Sequence, residues 1–435
     1  MKLIGLADCN NFFVSCERIF RPDLQNKPVV VLSSNDGCVV SRSNEAKALG
    51  IPMGAPYFRV EDFMHSKGVA VFSGNLRLYR NISRRVMAHL ALHTDMTEQY
   101  SIDEAFFNLT AAAIPDPVKH CRALRRSILE NCGIPVSIGI STTKTLCKLA
   151  SETAKERSKK DPAYDGVCLM TPDQAKKFFP SLPLKQVWGM GRHSVKKLRQ
   201  LGITTAAQFL KMDDEWIQKN LTIRGLMTAR ELRGIPCFPL TKDESKQQSI
   251  QVTCSFGQRL TGYEEIAATV AAHAVEGAYR LRHLGQRAGT VGCSLRTSRF
   301  IDHVYAKASE TRLSPPTSQD DDIVEGALKC LKKIYVAGYQ YAKAGIYLSD
   351  LTDDDSEQMD LFDDAETGHN RQERLMKALD DLNRQFGENT IMPALLKCTE
   401  SSEPRHILRT GWDPKTLNAI LDSMDKKGRK PSSKP

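Results

Sequence analysis

Residues 100–109 read "YSIDEAFFNL", in which two adjacent acids, Asp103 and Glu104, precede an apolar run. Neighbouring side chains of a strand point to opposite faces, so a regular amphipathic strand places only one of two adjacent acids on its polar face. Asp8 directly follows an earlier apolar stretch, "KLIGLA". If both strands lie side by side in one sheet, three carboxylates meet at its edge. One acid would face that edge directly, and its neighbour would reach it from a strand end or a bulge.

Three carboxylates at one edge would repel one another and raise one another's pKa values. A hard divalent cation relieves this repulsion, and Mg²⁺ needs few carboxylates because it keeps waters and substrate phosphates. We therefore predict two Mg²⁺ ions, of which one activates an attacking hydroxyl and the other neutralises a leaving pyrophosphate. The alternative is a strand end whose exposed acids have no relation to Asp8. The acids alone do not decide between these interpretations.

The segments around the acidic pair alternate between strand and helix. Apolar runs predict strands at residues 2–7 and 135–141, and helical periodicity predicts helices at residues 75–93, 118–133 and 143–160. This order is typical of a ferredoxin-like α/β (α+β) fold, for which we expect a small sheet with its helices on one face.

The remaining chain changes character three times. Residues 181–235 favour short helices, and the polar, proline-containing residues 236–248 indicate a linker. A further α/β unit follows and ends near Asp350. Beyond Leu351 an acidic stretch, one helical stretch and a Lys-rich end indicate a tethered tail.

The bulk composition limits the protein class. A chain of 435 residues is long enough for roughly three or four domains. The net charge of +10 arises before residue 350, and a basic body attracts polyanions such as nucleic acid, although a well-mixed basic surface has the same charge. Twelve cysteines without any C-x-x-C pair indicate reduced thiols. Since neither a signal peptide nor a membrane span is evident, we expect a cytoplasmic protein without membrane contact.

Four motifs, in this order, resemble those of the Y-family DNA polymerases: "DCNNFF", "VVSRSNEAKALG", "YSIDEAFFNLT" and "VSIGISTTKTLCKLASETAK". The stretch "FRPDLQNKPVVVLSSNDGCVVSRSNEAKALG" and the motif "VWGMGR" are similar to the UmuC-type branch, the catalytic subunits of DNA polymerase V. The resemblance implies a right-hand polymerase. Its parts would be a palm (residues 1–10 and 73–165), small fingers (11–72), a helical thumb with a helix–hairpin–helix (166–238), a linker (239–248), a little finger (249–350) and a flexible C-terminal tail (351–435).

The resemblance also implies an activity: error-prone, template-directed addition of deoxynucleotides to a primer 3′ end past damaged bases, in an SOS-type response to DNA damage. Asp8, Asp103 and Glu104 would be catalytic and would bind the metal together with the backbone carbonyl of Cys9. Phe13, beside Phe12, would be the steric gate that excludes a ribonucleotide's 2′-hydroxyl. Phe12 fits a core position better, because adjacent residues of a regular element cannot both face inward.

Further roles follow from the matched positions. The deoxynucleoside triphosphate would be held by Ser41, Lys47 and Lys155. Other branches carry an Arg at the position of Lys47 and a Tyr at the position of Asn44. Gly37 and Cys38 would form a small, tolerant roof over the template base. In the thumb, candidate contacts to primer–template DNA are Gly189, Gly191, Arg192, Lys196 and Lys197. In the little finger they are Arg280, Arg282, Arg287, Arg296 and Arg299.

The tail contains a possible partner motif. Gln358, Met359, Leu361 and Phe362 resemble the bacterial motif that binds the sliding clamp (β clamp), with Met in place of the usual Leu. A UmuD′-like dimer and the RecA filament are partners by resemblance alone. Two other functions stay open on the residues: a catalytically silent DNA-binding scaffold, and a nucleotide cyclase, which can use a similar sheet and two metals.

Overall fold

We describe the fold from a computed structural model of the chain. It describes residues 2–33, 36–110, 114–161, 163–241, 246–353, 366–386, 391, 416, 417 and 420. The chain divides into two compact units, the first comprising Met1–Glu244 with Ile407–Pro435 and the second Ser245–His406. This division falls inside the predicted linker. No helix in the described ranges has the length and apolar character that crossing a membrane requires.

The first unit alternates strands and helices, as the sequence predicts for its first 165 residues. In chain order its elements are β1 (Ile4–Cys9), α1 (Phe12–Phe20), β2 (Val29–Leu32), β3 (Val39–Arg42), α2 (Asn44–Ala48), α3 (Tyr57–Ser66), β4 (Ala70–Phe72), α4 (Leu76–Ala91), β5 (Thr97–Gln99), β6 (Glu104–Asn108), α5 (Pro117–Cys132), β7 (Val136–Ser141), α6 (Lys144–Lys160), β8 (Val167–Leu169), α7 (Pro172–Lys176), α8 (Arg192–Gln200), α9 (Ala206–Phe209) and α10 (Asp214–Leu232).

The palm is a five-stranded sheet in the order β5-β6-β1-β7-β8. The central strand β1 pairs antiparallel with both β6 and β7, so the strands that carry Asp8 and Glu104 are neighbours. The predicted strands and helices of the ferredoxin-like unit are therefore confirmed. Since β8 pairs with β7, the palm sheet extends to Leu169, beyond the predicted boundary at residue 165.

Helices cover both faces of this sheet, so the expectation of helices on one face was wrong. Helices α4 and α5 pack on the face that presents Ala7, Phe107 and Ile138. Helix α6 covers the opposite face, where Cys147 packs with Leu6 and Phe106. The backbone of α6 comes so close that a Cβ on Gly139 would lie 2.3 Å from the Cys147 carbonyl oxygen. Glycine at this position is what allows the close packing.

The fingers contain a three-stranded sheet, β3-β2-β4, with its own apolar core. Helix α1, although assigned to the fingers, packs into the palm core through Phe12 and Val14. The thumb helices α7–α10 share a separate core with the apolar side of α6.

The second unit folds in the order β-α-β-β-α-β and forms an antiparallel four-stranded sheet of its own. Its elements are β9 (Ile250–Leu260), α11 (Tyr263–Leu284), β10 (Gln286–Thr297), β11 (Ala306–Thr317), α12 (Asp320–Ile334), β12 (Tyr341–Asp353) and α13 (Glu366–Phe386). The sheet has the order β11-β10-β12-β9. Helices α11 and α12 cover one of its faces, and the other face is open.

The predicted tail contains one helical stretch, as expected, which is α13. Two of its residues make contacts with the folded units. Arg282 on α11 binds both carboxylate oxygens of Asp380 on α13 at 2.8 Å. Leu417 is fully buried in the palm core of the first unit. The predicted clamp-binding residues Gln358, Met359, Leu361 and Phe362 lie outside the described residues.

Candidate active site

Asp8 and Glu104 lie directly opposite each other at the adjoining ends of β1 and β6. Leu6 of β1 faces α6, and the alternation along the strand places Asp8 on the same face. Asp8 is only 6% exposed. Two residues that are 96 positions apart in the chain thus present carboxylates to the same edge, as the sequence predicted.

Asp103 lies in the turn that precedes β6, so the two adjacent acids do not both belong to the strand and need not point to opposite faces of it. Its backbone carbonyl accepts a 2.8 Å hydrogen bond from the amide of Cys9, the residue after Asp8. The Ser101 hydroxyl donates to its carboxylate at 2.6 Å. Glu104 is therefore the first residue of the strand, while Asp103 lies in the turn before it, beside Cys9.

The three acids lie close enough to Cys9 to affect the pKa of its thiol. Burial raises the pKa of the Cys9 thiol, and the charges of Asp8, Asp103 and Glu104 raise it further. Burial also raises the pKa of Asp8 to about 7, with Lys155 opposing the rise and the facing Glu104 adding to it. Crowded, desolvated carboxylates of this kind attract a cation or a proton.

Two lysines of α6 supply positive charge to these carboxylates. Lys155 Nζ donates to Asp8 at 2.6 Å and to Glu152 at 2.8 Å, and Lys148 Nζ donates to Glu104 at 2.5 Å. Burial by itself would lower the pKa of Lys155, but the two carboxylates beside it raise that pKa. Lys148 is not among the residues that the sequence motifs predict for the site. Its spacing of seven residues from Lys155, two helical turns, is a signal that both lie on one face of α6.

The donor chemistry at this edge fits Mg²⁺. Hard divalent cations prefer carboxylate oxygens as ligands. Three carboxylates lie close enough to Cys9 to raise the pKa of its thiol. In the described part of the chain, however, no three His, Cys, Asp or Glu side chains are arranged as a ligand set. Lys155 pairs with Asp8, and Lys148 pairs with Glu104. A bound cation would compete with these two ammonium groups for the same oxygens.

Phe12 and Phe13 have different environments, as the sequence predicted. Phe12 is 3% exposed in the palm core, whereas Phe13 is only partly buried. The Phe13 ring stacks on Tyr79 of α4, with centroids 4.3 Å apart and planes 14° from parallel. The Tyr79 hydroxyl donates at 2.6 Å to Glu17, which is fully buried. Tyr79, which sequence reasoning missed, thus fixes the ring of Phe13.

A group of cations lies beside the carboxylates. Burial lowers the pKa of Lys47, and the charges of Lys159, Arg42 and Lys155 lower it further, so these four side chains are electrostatic neighbours. The ammonium of Lys47 donates to Asn11 at 2.5 Å. Of the predicted triphosphate ligands, Lys47 and Lys155 therefore lie near each other. Ser41 is buried opposite Val31 in the fingers sheet.

The predicted roof residues, Gly37 and Cys38, directly precede β3. The Ser33 hydroxyl accepts hydrogen bonds from the amides of Gly37 and Cys38 at 3.2 and 3.3 Å. Gly37 is exposed and Cys38 is partly exposed, so both small residues present an open surface.

The thumb hairpin is only partly available to a ligand. Gly189 has a φ of 86°, which favours glycine, and Gly191 caps the N-terminus of α8. Arg192 and Lys196 are exposed, but Lys197 donates to the carbonyl of Asn220 at 2.9 Å.

The arginines predicted for the second unit have separate environments. Arg296 is exposed on the open sheet face, and Arg299 lies next to Phe300 in the following loop. Arg280 pairs with Glu276 on α11. Arg282 lies between Asp320 and Asp380, and Arg287 is 8% exposed. Arg282 and Arg287 are therefore structural, and predicting them as phosphate contacts was wrong.

Two family descriptions match the chain. The impB/mucB/samB family matches residues 7–152, and the C-terminal domain of the impB/mucB/samB family matches residues 247–361. The first match contains all three carboxylates.

Curated relatives align over almost the whole chain. UmuC of Salmonella typhimurium is 39% identical over 399 residues, covering 89% of this chain and 92% of UmuC. ImpB of the same species is 38% identical, covering 88% and 90%. DNA polymerase IV of Desulfatibacillum aliphaticivorans is 29% identical, covering 91% and 97%.

A solved structure has the same fold. The Y-family DNA polymerase chimera Dbh-Dpo4(243-245)-Dbh superposes with a TM-score of 0.65 at 18% identity, covering 80% of this chain and 98% of the chimera.

Proposed function

The chain belongs to the impB/mucB/samB family, the UmuC-type branch of the Y-family DNA polymerases, and we propose that it copies damaged template DNA in the SOS response. It is a DNA-directed DNA polymerase that adds deoxynucleotides, with low fidelity, to a primer 3′ end past damaged bases. The observation that carries this proposal is the pairing of Asp8 with Glu104 across two neighbouring strands, beside the turn that holds Asp103.

Catalysis in this family depends on divalent metal ions, and we propose two Mg²⁺ ions held by Asp8, Asp103, Glu104 and the carbonyl of Cys9. When bound, they supply activation of the primer 3′-hydroxyl and charge neutralisation of the leaving pyrophosphate. The protein contributes a buried edge whose carboxylates cannot separate, because both strands are hydrogen-bonded in register. Lys148 and Lys155 compensate the charge of this edge when the metals are absent.

The neighbouring cations suit the triphosphate. Lys47 and Lys155 are the proposed contacts, and Arg42 and Lys159 add positive charge close by. The group is basic and the adjacent edge is acidic. The phosphates of a nucleotide can therefore bind the cations, while its metal ions bind the carboxylates. Phe13, held by Tyr79, would lie under the sugar.

Replacing Lys47 with Gln should raise the KM for deoxynucleotides about tenfold and change kcat less, since a hydrogen bond to a charged group contributes about 1.5–3 kcal/mol. Steady-state single-nucleotide incorporation measures both constants. Lys67→Gln, an exposed lysine after α3, is the control and should leave both constants unchanged. A KM that Lys47→Gln does not alter would remove Lys47 from the triphosphate site.

Replacing Cys38 with Leu should reduce lesion bypass severalfold more than copying of intact template, because a larger side chain covers the template base that the small roof leaves open. Primer extension opposite a guanine that carries a bulky adduct and opposite unmodified guanine, with Mg²⁺ and all four deoxynucleotides, measures the two activities side by side. Equal losses on both templates would contradict the proposed role of the roof. A wild-type chain that makes no templated product would contradict the polymerase assignment itself.

DNA and protein partners complete the proposal. Primer–template DNA would contact the thumb hairpin through Gly189, Gly191, Arg192 and Lys196, and the second unit through its open sheet face. Backbone amides at the start of α8 and exposed basic side chains suit phosphates without reading sequence. We also propose the sliding clamp as a partner of Gln358, Met359, Leu361 and Phe362, and a UmuD′-like dimer and the RecA filament as further partners.

A further inference from the structure

The loop between β10 and β11 carries the most exposed large apolar side chain of the described residues, Phe300, which is 84% exposed. Ile301 and Val304 in the same loop are 42% and 56% exposed. Single exposed apolar residues are common, but three in one short loop form a patch of the kind that marks a binding site. The guanidinium of Arg299 lies 5.3 Å from the centroid of the Phe300 ring.

The loop adjoins a basic surface. Along β10 the side chains of Val291, Cys293 and Leu295 are buried under the helices, so Arg296 points to the open face. In the sheet register Arg296 lies opposite Lys343 of β12, at the end of β10 from which the loop leaves.

The opposite end of the same face carries charges of both signs. Arg312 of β11 is exposed and pairs in register with Thr290, whose hydroxyl donates at 2.6 Å to Asp350. Glu310 on this face accepts a 2.9 Å hydrogen bond from the Tyr347 hydroxyl. The cations that lie beside the loop are therefore Arg296 and Lys343, and they offer a polyanion contacts next to the projecting aromatic ring.

We propose that Phe300 is a stacking site for an unpaired nucleobase of the template strand, with Arg296 and Lys343 binding the adjoining phosphates. This inference rests on the proposed function and adds to it a subsite for single-stranded template. An aromatic ring stacks on any base, so the contact tolerates sequence and damage. A paired base has both faces covered, and a ring can enter there only by unstacking the duplex. The single-stranded template presents its bases without that penalty.

A protein partner is the other occupant to consider for an exposed apolar patch. The patch here is small, and Arg299, Arg296 and Lys343 flank it, which favours a polyanion over an apolar protein surface. We therefore assign the patch to nucleic acid.

The test compares two DNA probes with the full-length chain and with Phe300→Ala. One probe is a primer–template with a single-stranded overhang that contains 2-aminopurine, and the other is a blunt duplex of the same length. Phe300→Ala should weaken binding of the overhang probe about fivefold or more and leave the duplex affinity unchanged. It should also remove the quenching of 2-aminopurine that stacking causes. Phe300→Trp, which keeps a stacking ring, should retain both.

The chain offers a matched control in Phe58 of α3. It is 74% exposed and lies 5.6 Å from the guanidinium of Arg59, so it reproduces the same aromatic–arginine pair elsewhere in the chain. Phe58→Ala should leave overhang binding unchanged. Equal weakening on both probes, no weakening on either probe, or an equal effect of Phe58→Ala would each overturn the stacking site. A wild-type chain that binds neither probe would instead contradict the proposed function.

Discussion

Asp103→Ala should abolish primer extension, with a loss of at least about a thousandfold in the rate of nucleotide addition. Its carboxylate is one of three that lie close enough to Cys9 to affect the pKa of its thiol. Removing a metal ligand forfeits several kcal/mol of charge stabilisation in the transition state, and each 1.36 kcal/mol corresponds to tenfold in rate. A radiolabelled or fluorescent primer annealed to template, with Mg²⁺ and deoxynucleotides, gives the measurement directly.

Asp103 is the best of the three acids to change, because the fold depends on it least. Asp8 is buried and paired with Lys155, so its removal would leave the partly buried ammonium of Lys155 with only the exposed Glu152 as a partner. Asp103 is only partly buried, and its carboxylate loses one hydrogen bond, from Ser101. Asp95, which accepts hydrogen bonds from Asn108 at the other end of β6, is the matched control. Asp95→Ala should retain extension, and both variants should melt like the wild type.

This comparison also separates the competing functions. A DNA-binding scaffold would give no product with either wild type or variant, and a cyclase would convert nucleotides without needing primer and template. An extension ladder that is the same for wild type and Asp103→Ala would mean that the three carboxylates are not the catalytic centre.

The sequence predicted the two neighbouring strands that carry Asp8 and Glu104, because the information is local and periodic. Alternation places Leu6 and Asp8 on one side of β1, and the apolar run after Glu104 marks the strand that pairs with it. The side of the sheet on which α6 packs could not be read in this way. It depends on the close approach of the Cys147 carbonyl to Gly139, a contact between two elements that no periodicity encodes.

Long-range partners were the other source of error. Arg282 reads as one surface charge among many, and only the structure brings Asp320 and Asp380 to it from 38 and 98 residues away. Tyr79 reads as an ordinary helix residue until α4 is placed against Phe13. The type of a site residue is thus evident in the sequence, whereas the groups that hold it in position are supplied by the fold.

Phe13→Ala should increase ribonucleotide incorporation roughly tenfold to a hundredfold relative to deoxynucleotide incorporation. The ring of Phe13 stacks on Tyr79, whose hydroxyl donates to the buried Glu17, and this contact opposes movement of the ring away from the proposed sugar position. Forcing extra atoms into filled, rigid space costs about 1–3 kcal/mol, which sets the size of the effect. The ratio of kcat/KM for a ribonucleotide and its deoxynucleotide, measured on one template, reports it.

Side-chain variants at the same position isolate the contribution of ring bulk. Phe13→Tyr keeps the ring and should retain sugar discrimination, whereas Phe13→Leu removes it and should behave like Phe13→Ala. Phe12→Leu, at a core position, should lower the melting temperature without changing the choice of sugar, since Phe12 packs in the palm core. Unaltered discrimination in both Phe13→Ala and Phe13→Leu would place the gate at another residue and leave the stacked ring with a purely structural role.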